Sequence, residues 1–256
     1  MPRSLTTLLV TAITLFASAH LAEAAVVTSP SGLHAGDQYR LAFVTTTTTT
    51  ATSSDISYYD SIVSAAVNSN PTLAALNVPW TAIVSTGIGT GTPINAIDHA
   101  GLSSSITGIP IFNLAGQQVV ANYADLWGND FTSNTASPKL DITETGSIYD
   151  GRVWTGSTEN GVAYGTFAPL GNHTTFPINL SSSYGDSSDS PSTSALWILQ
   201  SSSFGFSTSK LTVSYPIYGI SGVITAVPEV NPPVLVGIAI VGAIIVRTRL
   251  HRRLGR

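Results

Sequence analysis

An apolar run from Val234 to Val246, with Arg247, Arg249, Arg252, Arg253 and Arg256 directly behind it, leaves this end of the chain few ways to fold. A helix that crosses about 30 Å of hydrocarbon needs roughly 20 apolar residues, with a lower limit of about 17. The uninterrupted run holds 13 residues, and counting back to Val230 through Asn231, Pro232 and Pro233 makes 17. Prolines in a first helical turn are tolerated, because the N–H groups they lack would have no partner there. Gly237 and Gly242 among Ile, Val and Ala suit a lipid-facing helix. The arginines can snorkel to the headgroups and hold their end in the cytoplasm. The competing reading is an amphipathic or core helix of a soluble domain, but no polar stripe interrupts the run. The expectation is a short spanning helix with the body outside and the arginines inside.

The opposite end carries Arg3, an apolar stretch from Leu8 to Phe16 broken only by threonines, and Ala22-Glu23-Ala24. That order has the form of a signal peptide with a small-x-small cleavage site, which predicts a mature chain beginning at Ala25. There is no cysteine, so disulfides, thiolate metal sites and a cysteine nucleophile are excluded together. Residues 25–226 carry 12 acidic and 4 basic side chains (Arg40, Lys139, Arg152 and Lys210), a net charge of −8 with histidine neutral. Such a surface offers no basic footprint for a phosphate backbone, so nucleic acid is not an expected partner. A body of this size can bury a sizeable core as one domain. Without disulfides, it is expected to be held by that core alone.

Between body and spanning run stands Val227-Pro228-Glu229. This motif, followed by a hydrophobic segment and a basic end, resembles the PEP-CTERM sorting tail of exported bacterial surface proteins. The resemblance implies recognition by a membrane protease of the exosortase type and delivery to the cell surface or exopolysaccharide matrix. Val230 stands where the usual tail has a second proline. The organisation that follows is a signal peptide over 1–24, an extracytoplasmic domain over 25–226 and a sorting tail over 227–256.

Within the body, Gln38 to Thr45 alternates Tyr39, Leu41 and Phe43 with Arg40, Ala42 and Val44, which predicts a strand. Thr45 to Thr50 extends it or forms a polar loop. Ser53 or Ser54 can cap a helix with Asp55 in its first turn. Ile56, Tyr59, Ile62, Val63, Ala66 and Val67 give that helix one apolar face as far as Asn68, and a shorter helical piece follows from Pro71 to Leu76. Further strands are expected at Trp80–Ser85, Ile109–Leu114, Gln118–Tyr123, Gly151–Thr155, Leu196–Gln200 and Leu211–Ile224, with a hairpin around Ala115-Gly116. Thr86–Gly108 and Asn172–Thr193 read as long surface loops. The predicted fold is α+β, one or two helices packed on a twisted, mostly antiparallel sheet with long loops.

The order of elements through Tyr39–Thr45, Asp55–Tyr59, Trp80–Ser85, Asn122–Trp127 and Val153–Gly156 loosely resembles the C-type-lectin-like and endostatin-like fold. Trp127-Gly128-Asn129-Asp130 is similar to the Trp-Asn-Asp signature of that class with a glycine inserted. The paired cysteines and the Glu-Pro-Asn or Gln-Pro-Asp tripeptides of that class are absent. The resemblance implies calcium held by loop oxygens and bound carbohydrate.

Calcium takes six to eight oxygen ligands as a rule, so Asp125/Asn129/Asp130, Asp141/Glu144/Asp150 and Asp186/Asp189 are the candidate ligand groups. The first ranks highest because Trp127 can orient it, and the bland alternative is that these acids are simply solvated. Trp80, Trp154 and Trp197 sit in apolar patterns and are expected in the core. Trp127 is the tryptophan expected to be exposed to a ligand. His34, His99 and His173 are expected as isolated surface-loop residues. No metalloprotease helix or Gly-x-Ser-x-Gly elbow is present, and Gly87–Thr92 lacks the third glycine and lysine of a phosphate loop. The main expectation is a non-enzymatic exported protein, structural or adhesive, with no cofactor except calcium as an open alternative. The alternatives are a calcium-dependent carbohydrate-binding domain and, behind it, a secreted glycan hydrolase using a carboxylate pair such as Asp141 and Glu144.

Overall fold

The computed structural model describes residues 25–87, 93–101, 108–129, 136–163, 169–171, 181–199, 201–202, 205–206 and 208–227. Residues 1–24, expected to be a signal peptide, the apolar run and its arginines lie outside the described residues, within which no helix is long and apolar enough to cross a membrane.

The chain is α+β, with a mixed sheet and few helices. β1 (Gln38–Val44) and β2 (Thr49–Thr50) precede helices α1 (Ile56–Ser69) and α2 (Pro71–Ala74), then come β3 (Trp80–Ala82) and α3 (Ala96–His99). A hairpin of β4 (Ile111–Asn113) and β5 (Gln118–Val120), a 3-10 turn at Tyr123–Leu126, β6 (Arg152–Trp154) and β7 (Ser181–Asp186) follow. A second 3-10 turn at Ala195–Trp197 leads to β8 (Ser201–Ser202), β9 (Gly205–Phe206), β10 (Thr208–Lys210), β11 (Ser214–Tyr215), β12 (Tyr218–Ser221) and β13 (Ile224–Thr225). The main sheet has the order β3-β12-β1-β4-β5, with β13 also paired to β1, and β10-β7-β6 form a smaller sheet. β1 runs antiparallel to β12 and β13 but parallel to β4.

The alternation in β1 divides the core. Tyr39, Leu41 and Phe43 face one cluster, where Tyr59, Val63, Ala66 and Val67 of α1 cover them. Ala42 and Val44 face the other, with Ala96, Ala100, Leu126, Trp197 and Ile220. Trp80, Trp154 and Trp197 are buried, as their apolar settings predict.

Helix α1 begins one residue later than a serine cap would give, because Asp55 itself is the N-cap and its carboxylate accepts from the Ser57 N–H at 2.9 Å. Asn70 closes α1 and opens α2, where its side-chain oxygen accepts from the Thr72 N–H and its amide donates to the Glu144 carbonyl at 2.6 Å. The hairpin turns at Gly116, whose φ of +77° lies in the left-handed region that favours glycine.

Four expectations need correction, and the first is Leu211–Ile224, which is not one strand but a turn followed by β11, β12 and β13. Leu196–Gln200 does not open as a strand: Ala195–Trp197 is a 3-10 turn capped by the Ser194 hydroxyl on the Leu196 N–H. Asn172–Thr193 is no plain loop, since it contains β7, a Ser-Ser-Ser-Tyr-Gly-Asp strand that pairs with both β6 and β10. The Thr86–Gly108 excursion contains α3.

Nor do apolar contacts alone hold the body. Buried hydroxyls tie irregular segments to backbone carbonyls: Thr155 to Ile198 at 2.6 Å, Ser182 to Pro169 at 2.9 Å, and Ser190 to Pro138 at 2.8 Å. Ser85 Oγ lies 2.8 Å from Ser157 Oγ and accepts from the Ala96 N–H at 2.9 Å, which fixes the start of α3. Each such bond contributes about 1 kcal/mol net, but an orphaned buried partner costs about 1–3 kcal/mol, so the set acts as polar staples.

Gly185 in β7 shows how closely these segments approach: a Cβ there would stand 1.8 Å from the Trp197 carbonyl oxygen. Gly185→Ala is expected to lower the unfolding free energy in urea by at least about 3 kcal/mol. Gly32→Ala, with open space around it but a φ of +88°, is expected to cost only about 1 kcal/mol. Equal stability of the two variants would mean that β7 does not pack against the 195–198 turn.

Candidate functional site

Arg40 lies on β1 among apolar neighbours and is fully buried. Its Nε donates to the Ser221 carbonyl at 2.6 Å and its Nη2 to the Ala100 carbonyl at 2.7 Å, while Nη1 has no hydrogen-bond partner. The guanidinium carbon stands 5.4 Å from the centre of the Tyr123 ring, a cation–π distance. Burial pulls the Arg40 pKa down to about 10, with the Tyr123 phenol acting in the opposite sense. A buried cation without a carboxylate is costly, and here carbonyl dipoles and a ring face offset it.

An aromatic file leads outward from Arg40. The Tyr123 hydroxyl donates to the Ile97 carbonyl at 2.8 Å, and its ring meets Trp127 edge-on at 5.6 Å. Trp127 then lies 5.7 Å from Trp197, which lies 5.4 Å from Tyr218. Trp127 is half-buried, and a Cβ on Gly161 would stand 2.6 Å from its ring. It is therefore a fixed, partly accessible plate in the middle of the file, between Tyr123 and the buried Trp197.

Beside it, Asp125 is exposed, and its carboxylate accepts from the Asn122 amide at 2.7 Å. The Asn129 amide nitrogen donates to the carbonyls of Asp125 and, at 2.6 Å, of Pro191. Asp130, the third expected ligand, lies outside the described residues. Among the described residues no three His, Asp or Glu side chains come together in an arrangement that would hold a metal.

The remaining acids divide. Glu144 is buried rather than solvated, and its carboxylate accepts from the Thr46 N–H at 2.9 Å and from the Thr46 hydroxyl. It fastens the turn after β1. Asp186 caps its own turn through the Ser188 N–H at 3.0 Å, and Asp189 is buried. Asp141 is half-buried and Asp150 exposed; burial raises the Asp141 pKa, with Lys139 pulling it down and Asp150 up. His99 is also not an isolated loop residue. Its Nε2 lies 2.9 Å from Asp60 Oδ1, an oxygen that also accepts from the Ala82 N–H at 2.8 Å, so the pair links α1, β3 and α3. That link, which spans 39 residues, leaves no signal in local sequence. His34 is exposed, as expected, but it is not isolated, since Asp37 lies 3.4 Å from its ring.

Residues 226 and 227 follow β13. Ala226 donates to the Asp37 carbonyl at 2.8 Å and accepts from the Gly36 N–H at 2.9 Å. Val227, the first motif residue, is 76% exposed immediately after this pair. A groove of about 360 Å³, lined by Ser29, Leu33, Ala226 and Val227 among others, opens beside it. Pro228, Glu229 and the arginines lie outside the described residues.

No protein-family model matches this chain, and no curated protein matches it.

Burial raises the pKa of Tyr59 and Tyr123, and that of the fully buried Tyr218 well above the ordinary phenol value. A folded-state pKa above the unfolded one adds stability that is complete below about pH 10 and is lost as pH rises beyond it. Arg40, whose pKa burial lowers, acts in the opposite sense, one group against three phenols. Stability is therefore expected to fall steadily above pH 10, with the absorbance of these tyrosinates appearing together with unfolding. Full tyrosinate absorbance from a still-folded chain at pH 11 would contradict this packing.

Proposed function

We propose that this chain is an exported, non-enzymatic surface or exopolysaccharide-matrix protein. It would be held in the inner membrane during transit by residues 230–256, and its tail processed by an exosortase-type protease. The observation that carries the reading is the uninterrupted succession of Val227-Pro228-Glu229, the apolar run and the five arginines, beginning directly after Ala226, the last backbone-paired residue among the described residues. Val227, the first residue of the motif, is accessible.

The body's chemistry supports a structural or adhesive role. Of the pair Asp141 and Glu144 that sequence spacing offers for catalysis, Glu144 is spent on holding the turn at Thr46. A C-type-lectin-like assignment belongs to the same proposal, supported by the strand–helix opening and by the position of Trp127. Buried hydroxyls, in place of disulfides, tie its described irregular segments to backbone carbonyls.

Glu229→Ala and deletion of residues 247–256 are each expected to leave unprocessed precursor in the membrane fraction of a host with the sorting protease, whereas the parent chain is released. The measurement is fractionation followed by mass analysis of the released species. Release of both variants at the parent rate, with an unchanged C-terminus, would refute the sorting role of this tail.

A further inference from the structure

A second aromatic cluster lies on β6, β7 and β11, apart in sequence from the Trp127 file. Arg152 at the start of β6 is exposed. Its guanidinium carbon stands 4.7 Å from the centre of the Tyr184 ring, and Nη1 donates to the Tyr215 hydroxyl at 3.2 Å. Tyr149 donates to the Arg152 carbonyl at 2.9 Å. Tyr215 in turn packs against Trp154 at 4.8 Å and Tyr184 at 5.9 Å. Tyr184 and Trp154 are buried beneath, while Tyr149 and Tyr215 are half-buried and keep accessible surface.

An exposed arginine ordinarily loses rotamer freedom when it binds. Here stacking and one hydrogen bond already hold the planar fork, and it has further N–H donors to offer. Acidic groups flank it: Asp186 is its cross-strand partner in the register of β6 and β7, and Asp150 is exposed two residues earlier. One cation beside two carboxylates repels a polyanion, and the body's negative charge repels it further. A ligand with apolar C–H faces and hydroxyl edges fits the same groups, with tyrosine rings for its faces, arginine for its oxygens, and carboxylates and phenols for its O–H groups.

We propose that the Arg152, Tyr149 and Tyr215 face is a calcium-independent contact surface for neutral, hydroxyl-rich polysaccharide. This deepens the adhesive part of the proposed function and rests on it for its biological setting. The binding itself is independent of how the tail is processed.

The test is affinity electrophoresis of the full chain in mild detergent, through native gels holding hydroxyethyl cellulose, galactomannan or alginate, each with and without EDTA. The expected result is retardation by at least one neutral polymer, undiminished by EDTA, and about tenfold weaker for Arg152→Ala and for Tyr215→Ala. Arg152→Gln, which keeps the stem over Tyr184, serves as the arginine variant if the alanine change lowers the thermal midpoint. Retardation by alginate alone, retardation lost in EDTA, equal retardation of parent and variants, or no retardation in any gel would each overturn the proposal. Loss of binding with normal tail processing sinks only this surface, whereas failed sorting with intact binding sinks only the address.

Discussion

Everything in this fold leans on β1, because its residues are buried on both faces from Tyr39 to Val44 and it is bonded on both edges. Its partners come from distant parts of the chain: β4 lies some 70 residues on, β12 and β13 some 180. A strand in that position must supply two kinds of side chain in alternation. Tyr39, Leu41 and Phe43 do so for the α1 side. On the other side the alternation places Arg40, a charge in a core. Its hydrogen bonds to the carbonyls of Ser221 and Ala100 join β12 to the end of α3. Removing that side chain would leave two buried carbonyls without donors, a cost of about 1–3 kcal/mol each.

The parts legible in the sequence are those whose burial is written in a period. β1 shows the two-residue alternation and α1 the three-and-four spacing, so both stand within a residue or two of where the pattern puts them. Gly116 announces the hairpin by the conformation it alone favours. β7 is illegible for a physical reason: Ser182 and Ser183 are buried through hydroxyl bonds to Pro169 and Ser157 carbonyls, and Gly185 is there because Trp197 leaves no room for a Cβ. None of that leaves a hydrophobic period. Leu196 and Trp197 mislead in the opposite direction, since an apolar run this short suits a 3-10 turn as well as a strand.

Of the candidate site, chemistry was easier to read than geometry. Trp127 sits at an accessible corner, but its neighbours Tyr123 and Trp197 come from different stretches of sequence. Glu144 reads as a solvated acid, but the Thr46 amide needs it. His99 reads as solitary, but Asp60 arrives from a helix 39 residues earlier. Each depends on tertiary proximity, which spacing along a chain of low charge density does not encode. The absence of cysteine is legible; its replacement by buried hydroxyl staples is not. The same polar economy runs through the proposed role, in which a body stabilised by neutral hydroxyls meets a matrix made of them.

The central claim is that β1 is the axis to which both core clusters and β13 are fixed. Amide hydrogen exchange of the full chain, resolved by residue, tests it most directly. The account predicts that Leu41, Ala42, Phe43 and Val44 exchange only through global unfolding, with Ala226 protected by its bond to Asp37. Exchange of the β1 amides at lower free energy than those of Val153 and Trp154 in the smaller sheet would contradict it.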